Sequence, residues 1–422
     1  MVRAHVCVLV GLGLMLSAAS TAARQLEFFV ENRLVGSDNV SGRAQNSARN
    51  PRADGFWEIA PRVTVRETLD ERSYDIRYQP SFEKYFAVDQ LSGWDHNAVA
   101  RADWALTPTD RLGVDGSFAS NRRLREEFLD LGIDPDPALE PTDRQRIRRS
   151  RAALYYSRSF NQRLSARLDY RFDDLDYNRR DVSDSRSQTA SLGMEYSPNQ
   201  RTAVGVTGSL RHRNSRVNQT LSNGVVFREV RNSSRTVDVS FSLRREIAKT
   251  LDVSIQAGPS IIETQQDVAA LVVLVPRPPP KSHSNDLSFF AAASIRKTFR
   301  DAEMTLSYSR FESGGGGSVT SSISDSVTGS AIYRVDRWWV LRAFASWSRQ
   351  KQFADDVSVG GDEEITRYRV VGSLTRKFTP RLALTGRVQY RVQSRKAPGD
   401  DPVTETLSGW IALRFSFDPI VF

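Results

Sequence analysis

Apolar and polar residues alternate along short segments that recur through most of the chain. In residues 164–172 every second residue is apolar, and the residues between them are mostly charged. The final segment, residues 404–422, repeats the pattern and ends on Phe422. Because successive side chains of a strand point to opposite faces, each such segment predicts a strand with one apolar and one polar face. The chain is therefore predicted to be all-β.

The connections between the predicted strands alternate in length. Short turns, such as 107–110 and 197–200, alternate with longer segments, such as 121–149, 212–235 and 259–285. We count about 18 strands of roughly 10 residues, or 16 if the first hairpin is not part of the wall. These features predict a transmembrane antiparallel up-and-down β-barrel, with short periplasmic turns and long extracellular loops. A soluble sandwich or propeller is the alternative that alternation alone permits.

Residues 1–23 are predicted to be a signal peptide. Arg3 supplies a positive start, and residues 6–16 form an apolar core. Cys7, the single cysteine, lies in this leader, so the mature chain is predicted to have no disulfide. Small residues follow the apolar core, and the candidate cleavage sites lie after Ala19, Ala22 and Ala23.

Beyond the leader, the sequence has no run of about 18 apolar residues, so it predicts no membrane-spanning helix. Its 422 residues would suffice for two soluble domains or one large barrel, and the strand pattern favours the barrel. The expected location is the outer membrane of a Gram-negative cell, reached by export through the cleaved signal peptide. We divide the chain into the signal peptide (1–23), a short first strand and loop (24–53, with the strand at 26–33) and an outer-membrane β-barrel (54–422).

The polar face of the predicted strands would line the lumen, and it is rich in arginine. Many of these arginines have an aspartate or glutamate nearby, so pairing across the strands is the simpler role for most of them. Arginines that line a wide pore favour anions. The arginines of the last three strands have the fewest acidic neighbours. The candidate lumen-lining residues are Arg367, Arg369, Arg387, Arg391, Arg414, Arg167 and Arg171.

Aromatic residues often lie near the ends of the apolar faces. Amphipathic rings favour the headgroup level of a bilayer, so these positions predict two interfacial girdles. The expected partners are outer-membrane lipid, lipopolysaccharide and the barrel-insertion machinery. The candidate girdle residues are Tyr156, Tyr170, Tyr196, Tyr308, Tyr333, Trp339, Trp347 and Tyr390.

The sequence shows no enzymatic motif. The mature chain has three histidines, His96, His212 and His283, and none has the spacing of a metal-ligand pair. It has no Gly-x-Ser-x-Gly elbow and no phosphate loop. We therefore predict a protein that is not an enzyme, with no catalytic residue, cofactor or metal site. An outer-membrane lipid hydrolase that uses His96 or His212 is the least favoured alternative.

The charged residues outside the strands are interpreted as solvated loops. The formal net charge of +9 does not predict a nucleic-acid partner, because the arginines are spread over the wall. Binding of calcium and bridging of lipopolysaccharide are the alternatives for the acidic clusters. These clusters are Asp134 with Asp136, Asp355 with Asp356, Asp362 with Glu363 and Glu364, and Asp400 with Asp401.

Three stretches resemble the opening hairpins of the β-barrel porin 2 type, namely residues 59–68, 74–81 and 97–109. This family includes outer-membrane proteins that accompany exopolysaccharide and exosortase systems. The resemblance implies a porin-like barrel and an association with polysaccharide export. The ending departs from the usual pattern, because Pro419 shifts the register and puts Phe422 on the parity opposite to the apolar face.

Three hypotheses follow. The first is a passive outer-membrane channel that passes an anionic solute, such as a saccharide or an exported polysaccharide. The second is a structural or assembly barrel of an export system, without open-channel activity, in which residues 121–149 fold into the lumen or dock a partner. The third is the lipid hydrolase.

Overall fold

The computed structural model describes residues 24–38, 53–87, 92–121, 146–177, 184–220, 227–270, 282–313, 322–352, 364–396 and 403–421. The predictions for the signal peptide, for the middle of the segment 121–149 and for the acidic clusters other than Glu364 lie outside these residues.

All the strands lie in one antiparallel sheet that closes on itself. Each strand pairs with its neighbours in the chain, and the first strand pairs with the eighteenth. The predicted all-β, up-and-down barrel is therefore confirmed, with 18 strands in the wall, and the described residues contain no helix. The strands are β1 (Arg24–Ser37), β2 (Asp54–Thr68), β3 (Arg72–Tyr85), β4 (Gly93–Ala105), β5 (Asp110–Asn121), β6 (Ile147–Ser159), β7 (Leu164–Tyr177), β8 (Asp184–Asn199), β9 (Thr202–Thr220), β10 (Phe227–Ala248), β11 (Leu251–Ala270), β12 (Ser282–Thr298), β13 (Ala302–Ser313), β14 (Ser322–Arg334), β15 (Trp339–Gln352), β16 (Glu364–Lys377), β17 (Leu382–Lys396), β18 (Val403–Ser416) and the short β19 (Ile420–Val421).

Tight turns close one end of the barrel. The connections from β2 to β3, from β4 to β5 and between each later even–odd pair are two to four residues long. Short polar side chains hold these turns, because their oxygens accept backbone N–H groups two or three residues further on. Asn161 Oδ1 accepts the N–H of Leu164 at 2.9 Å, and Asp336 Oδ1 accepts that of Trp339 at 2.7 Å. The chain enters β1 and leaves β18 at this same end.

The two faces of the wall differ as alternation predicts. Large apolar side chains on the outer face are exposed, for example Leu192, Phe241, Leu306 and Ile411. The residues between them along each strand are mostly hydroxyl, amide or charged side chains that face the interior. Soluble proteins place apolar residues inside and polar residues outside. This wall has the opposite distribution, which matches a barrel that contacts lipid.

Four neighbouring strands, β9 to β12, extend further than the sequence predicts. Residues 212–220 and 227–235 lie in β9 and β10, and residues 259–270 lie in β11, although both regions are predicted as loops. In this region both faces of the strands are largely polar, so the hydrophobic alternation that marks a strand disappears while the backbone pairing continues. β1 likewise runs over 14 residues rather than 26–33, and it pairs with β2 and β18 as part of the wall.

Two prolines interrupt the wall at a single place. Pro61 in β2 and Pro80 in β3 each lack the N–H that a ladder needs. The paired residues on either side of the gap, Ile59 with Phe82 and Val63 with Tyr78, place the two prolines opposite one another. Both missing donors therefore fall in one interruption of the β2–β3 ladder.

Pairing at the carboxy-terminal end resumes after Pro419. The N–H of Phe417 donates to the carbonyl of Phe28 at 2.9 Å, and Ile420 and Val421 then pair with Leu26 and Gln25 of β1. The break at Pro419 is therefore local, while Phe422 lies outside the described residues.

Candidate functional site

The candidate site is the interior of the barrel. An open cavity of about 770 Å³ lies within it, and the described residues that line this cavity come from β6 to β17. Among them are eight arginines and two acidic residues, Asp173 and Glu195. The interior of a barrel with this many strands is too wide for side chains from the wall to fill completely.

One group of arginines lies on β16 and β17. Arg367 is 7% exposed and donates through Nε to Gln393 Oε1 at 3.0 Å. Arg369 donates to Gln389 Oε1 at 3.2 Å. Arg369 and Arg391 occupy directly opposite positions on the two strands, so two guanidinium groups lie at one level of the wall. All three arginines line the cavity.

A second group of arginines lies on β6, β7 and β9. Arg149 and Arg151 share one carboxylate, that of Asp173, at 2.8 Å each. Arg171 lines the same cavity and makes no hydrogen bond or ion pair with another described residue. Arg213 donates to Ser185 Oγ at 3.3 Å. Because two guanidinium groups share a single carboxylate, this part of the wall carries an excess of positive charge.

The two arginine groups face each other across the interior. In a ring of 18 strands, β17 lies opposite β8, nine strands away in either direction. The two groups also lie at similar heights in the barrel. β7 and β17 both begin at the end closed by tight turns, and Arg171 lies 7 residues (171 − 164) and Arg391 9 residues (391 − 382) from that end. A solute in the cavity therefore meets positive charge on two opposed walls.

Hydroxyl side chains fill the wall between the two arginine groups. Five of them occupy directly opposite positions on five consecutive strands, β11 to β15, and all line the cavity. The first hydroxyl row consists of Ser254, Ser294, Ser307, Thr328 and Ser346. Arg244 pairs with Ser254 at one end of the row, and Arg369 pairs with Ser346 at the other.

A second hydroxyl row runs parallel to the first, one step nearer the long connections. It consists of Ser309, Ser326 and Ser348 on β13 to β15, in directly opposite positions. Ser309 Oγ and Ser326 Oγ are 2.7 Å apart, as Ser254 Oγ and Ser294 Oγ are 2.8 Å apart in the first row. The row ends at Arg367, which pairs with Ser348.

Side chains on the opposite side of the interior are buried. Phe56 on β2 and Tyr85 on β3 are 1% and 2% exposed, and their ring centroids are 4.7 Å apart. Glu58, Glu83 and Asp95 near them are also buried. The cavity therefore lies off-centre, against the arginine and hydroxyl walls.

Aromatic rings between pairs of arginines hold the closing strands together. Trp410 of β18 lies between Arg387 and Arg33, whose guanidinium carbons are 6.0 and 5.0 Å from the ring centroid. Phe29 of β1 lies between Arg414 and Arg62, at 4.1 and 4.5 Å. Cation–π contacts of this kind contribute about 0.5–2 kcal/mol each. We name these two groups the seam stacks.

The predicted lumen-lining residues therefore occupy three different settings. Arg171, Arg367, Arg369 and Arg391 line the cavity. Arg387 and Arg414 belong to the seam stacks. Arg167 is ion-paired with Asp169 at 2.9 Å and lies over the ring of Tyr155 at 4.0 Å. Their part in solute passage stays a prediction.

Sequence reasoning missed the hydroxyl rows, and its candidate lumen-lining residues include only half of the arginines that line the cavity. Serine and threonine appear on the polar parity of β11 to β15 in the sequence, but they carry no charge pattern that singles them out. Only the strand register shows that they form continuous rows. The other cavity arginines are Arg149, Arg211, Arg213 and Arg244. Of these, Arg211 and Arg244 are predicted on the lumenal parity, whereas Arg149 and Arg213 were missed.

The aromatic and histidine candidates lie on the outer face. Tyr170, Tyr196, Tyr308, Tyr333 and Tyr390 are exposed there, and the other three girdle candidates share their parity. Contact of these rings with lipid stays a prediction.

Two of the histidines also face outward. His96 on β4 bonds through Nδ1 to the Tyr78 hydroxyl at 2.9 Å. His212 lies five strands away on β9, 3.2 Å from Asn214, so the two histidines cannot share one site. His283 lies in β12, and its side chain is outside the described residues.

The described residues include no helix with the length and hydrophobicity that a membrane span requires. They also contain no group of three or more histidine, cysteine, aspartate or glutamate side chains placed to hold a metal ion.

Several solved structures share part of this architecture. The closed form of the ferric-catecholate import receptor Fiu from E. coli K12 has a TM-score of 0.48 at 7% identity, over 94% of this chain and 82% of the receptor. OccAB2 from Acinetobacter baumannii has a TM-score of 0.46 at 10% identity, over 94% of this chain and 98% of OccAB2. OccK9 (OpdG) from Pseudomonas aeruginosa has a TM-score of 0.44 at 12% identity, over 94% of this chain and 98% of OccK9. Likenesses at this level assign no function to the chain.

No family model matches the chain, and no curated protein matches it. The resemblance to the β-barrel porin 2 type therefore stays a prediction.

Proposed function

We propose that this barrel is an outer-membrane channel that passes anionic solutes. One observation carries the proposal: the described lining of the cavity has eight arginines against two acidic residues. These arginines lie on opposed walls, so their potentials add in the cavity and raise the local concentration of anions.

The outer face supports insertion in a membrane. Its exposed apolar side chains form a continuous surface around the wall, with tyrosines above and below them. Outer-membrane lipid and lipopolysaccharide are the proposed partners of this surface. The barrel-insertion machinery is the proposed assembly partner after export through the signal peptide.

Recording from single channels in planar bilayers tests the channel. With a KCl gradient across the bilayer, the reversal potential gives the ratio of chloride to potassium permeability, and we expect a ratio above one. Absence of conductance, or a preference for potassium, would contradict the proposal.

Export of an anionic polysaccharide is the narrower form of this proposal. The width of an 18-strand barrel and the resemblance to exopolysaccharide-associated proteins support it. Vesicles that contain the purified barrel and a labelled acidic polysaccharide should release the label faster than vesicles without protein. Equal release would rule out the narrower form while leaving passage of small anions intact.

A structural or assembly barrel is the second candidate. The buried side chains opposite the hydroxyl rows, among them Phe56, Tyr85 and Glu83, favour it because they narrow the open path. It predicts no conductance, together with co-purification of an export component. Deletion of residues 122–145 would then abolish that binding, and unchanged binding would count against this candidate.

A further inference from the structure

We propose that the hydroxyl rows bind the sugar rings of an acidic saccharide, whose carboxylates are held by the arginines at the ends of the rows. This inference rests on the proposed channel and names its solute class. The structural basis is the register: Arg244, the first hydroxyl row, Arg369 and Arg391 occupy directly opposite positions on eight consecutive strands, β10 to β17.

The spacing of the first row suits a chain of sugar rings. Neighbouring strands lie about 4.8 Å apart, so a hydroxyl recurs at that interval, which is close to the length of one pyranose ring. The strands of such barrels tilt by about 35–45°, so a line that crosses them runs obliquely down the lumen rather than around it. A saccharide that follows the row would therefore move along the pore while it stays in contact with the wall.

The chemistry of the hydroxyls also fits sugars better than simple ions. Each serine or threonine hydroxyl has one donor and two acceptor sites. Ser307 and Thr328 are hydrogen-bonded to each other across the strands, as are Ser254 and Ser294, and such a pair uses one donor and one acceptor. The pair keeps one donor and several acceptor positions, which is the mixture that sugar hydroxyls need. A compact anion such as sulfate can use only the donors.

The ends of the row set the charge preference. At the β16–β17 end, Arg369 and Arg391 lie opposite one another, and the Arg369 guanidinium carbon is 5.6 Å from the ring of Phe344, which also lines the cavity. At the β10 end, Arg244 lies 3.3 Å from Glu195. Positive charge is therefore stronger at the β16–β17 end, and a uronate carboxylate should bind there.

Block of the chloride current by added solutes tests the inference. The probes are tri-galacturonate, the neutral trisaccharide maltotriose and sulfate. The double variant Ser307→Ala/Thr328→Ala removes both hydroxyls of one pair and leaves no orphaned partner. Its control is Thr375→Ala/Thr385→Ala, because these hydroxyls are also paired across strands, at 3.1 Å, but lie outside the cavity lining. Thr375 Oγ1 also accepts a hydrogen bond from Arg342 at 3.4 Å, so the control removes at least as many contacts as the test variant.

We expect tri-galacturonate to block wild-type channels at lower concentration than either maltotriose or sulfate. The Ser307→Ala/Thr328→Ala variant should raise the blocking concentration of tri-galacturonate by about three- to tenfold and leave sulfate block unchanged. The control variant should behave as wild type, and the chloride-to-potassium ratio should be the same in all three proteins.

Two results would overturn the inference, and they are distinguishable. An anion-selective channel in which tri-galacturonate and sulfate block equally, or in which both double variants behave alike, would remove the hydroxyl rows as a binding site and leave the proposed channel intact. A wild-type channel without anion preference would overturn the proposed function and this inference together.

Discussion

Arg171 offers a direct test of how the wall sets anion preference. It lines the cavity and makes no hydrogen bond or ion pair with another described residue, so Arg171→Gln removes a charge without breaking a partner. Arg245→Gln is the matched control. Arg245 lies on β10 with outer-face parity and is exposed, so the same charge is removed outside the lumen.

The expected size follows from the dimensions of the cavity. A sphere of 770 Å³ has a radius of about 6 Å, so we place an anion at its centre about that far from Arg171. In water, two unit charges at about 6 Å interact by about 0.7 kcal/mol, and 0.1 M salt reduces this to about 0.4 kcal/mol. Without the charge of Arg171, an anion in the cavity is less stable by about 0.4 kcal/mol and a cation is more stable by the same amount. The chloride-to-potassium ratio should therefore fall by about fourfold.

Reversal potentials in a KCl gradient near 0.1 M measure this change. In 1 M KCl the screening length is about 3 Å, and the effect of Arg171→Gln should shrink to about 1.4-fold. An Arg171→Gln channel with the wild-type ratio at 0.1 M would refute the reasoning. An equal change in Arg245→Gln would refute it too, because that arginine does not face the lumen.

Two further variants probe charge and packing in the wall. Asp173→Asn leaves Arg149 and Arg151 without their shared carboxylate. It should therefore raise the chloride-to-potassium ratio and lower the free energy of unfolding by about 1–3 kcal/mol. Reversal potentials measure the first quantity and urea unfolding the second, and a change in the opposite direction in either would contradict the prediction. Gly258→Ala should destabilise the barrel by about 1–3 kcal/mol or more, because its Cβ would lie 1.8 Å from a backbone oxygen of β10. Gly208→Ala is the control, because its Cβ would meet nothing within 4 Å, and it should unfold at the wild-type urea concentration or above it. An equal loss of stability in both variants would show that the close approach at Gly258 does not cause the destabilisation.

The fold could be predicted from the sequence because lipid and water impose opposite demands on alternate residues. The pattern in residues 164–172 is strong because each face has a single environment along the whole segment. Prediction failed in β9 and β10, where residues 212–220 and 227–235 pair although both faces are polar. Pairing there depends on backbone hydrogen bonds to neighbouring strands, which the alternation of side chains does not encode.

The candidate site was predictable only in part, for a related reason. Arginine on the polar parity is visible in a sequence, so Arg369 and Arg391 were found. Their opposite positions, and the alignment of Ser307 with Thr328, depend on the register between strands. A shift of one residue would move every side chain to the other face, and the sequence of one strand does not fix its offset from the next.

The seam stacks have a consequence for the register at which the barrel closes. β1 and β18 are far apart in the chain, and their pairing closes the sheet into a ring. Phe29 and Trp410 each lie between arginines from two other strands, so the stacks form only if the ends meet in the native offset. A slip by one residue would turn these rings towards lipid and leave the arginines without them. The stacks therefore favour the native register at the junction of β1 and β18 over a register shifted by one residue.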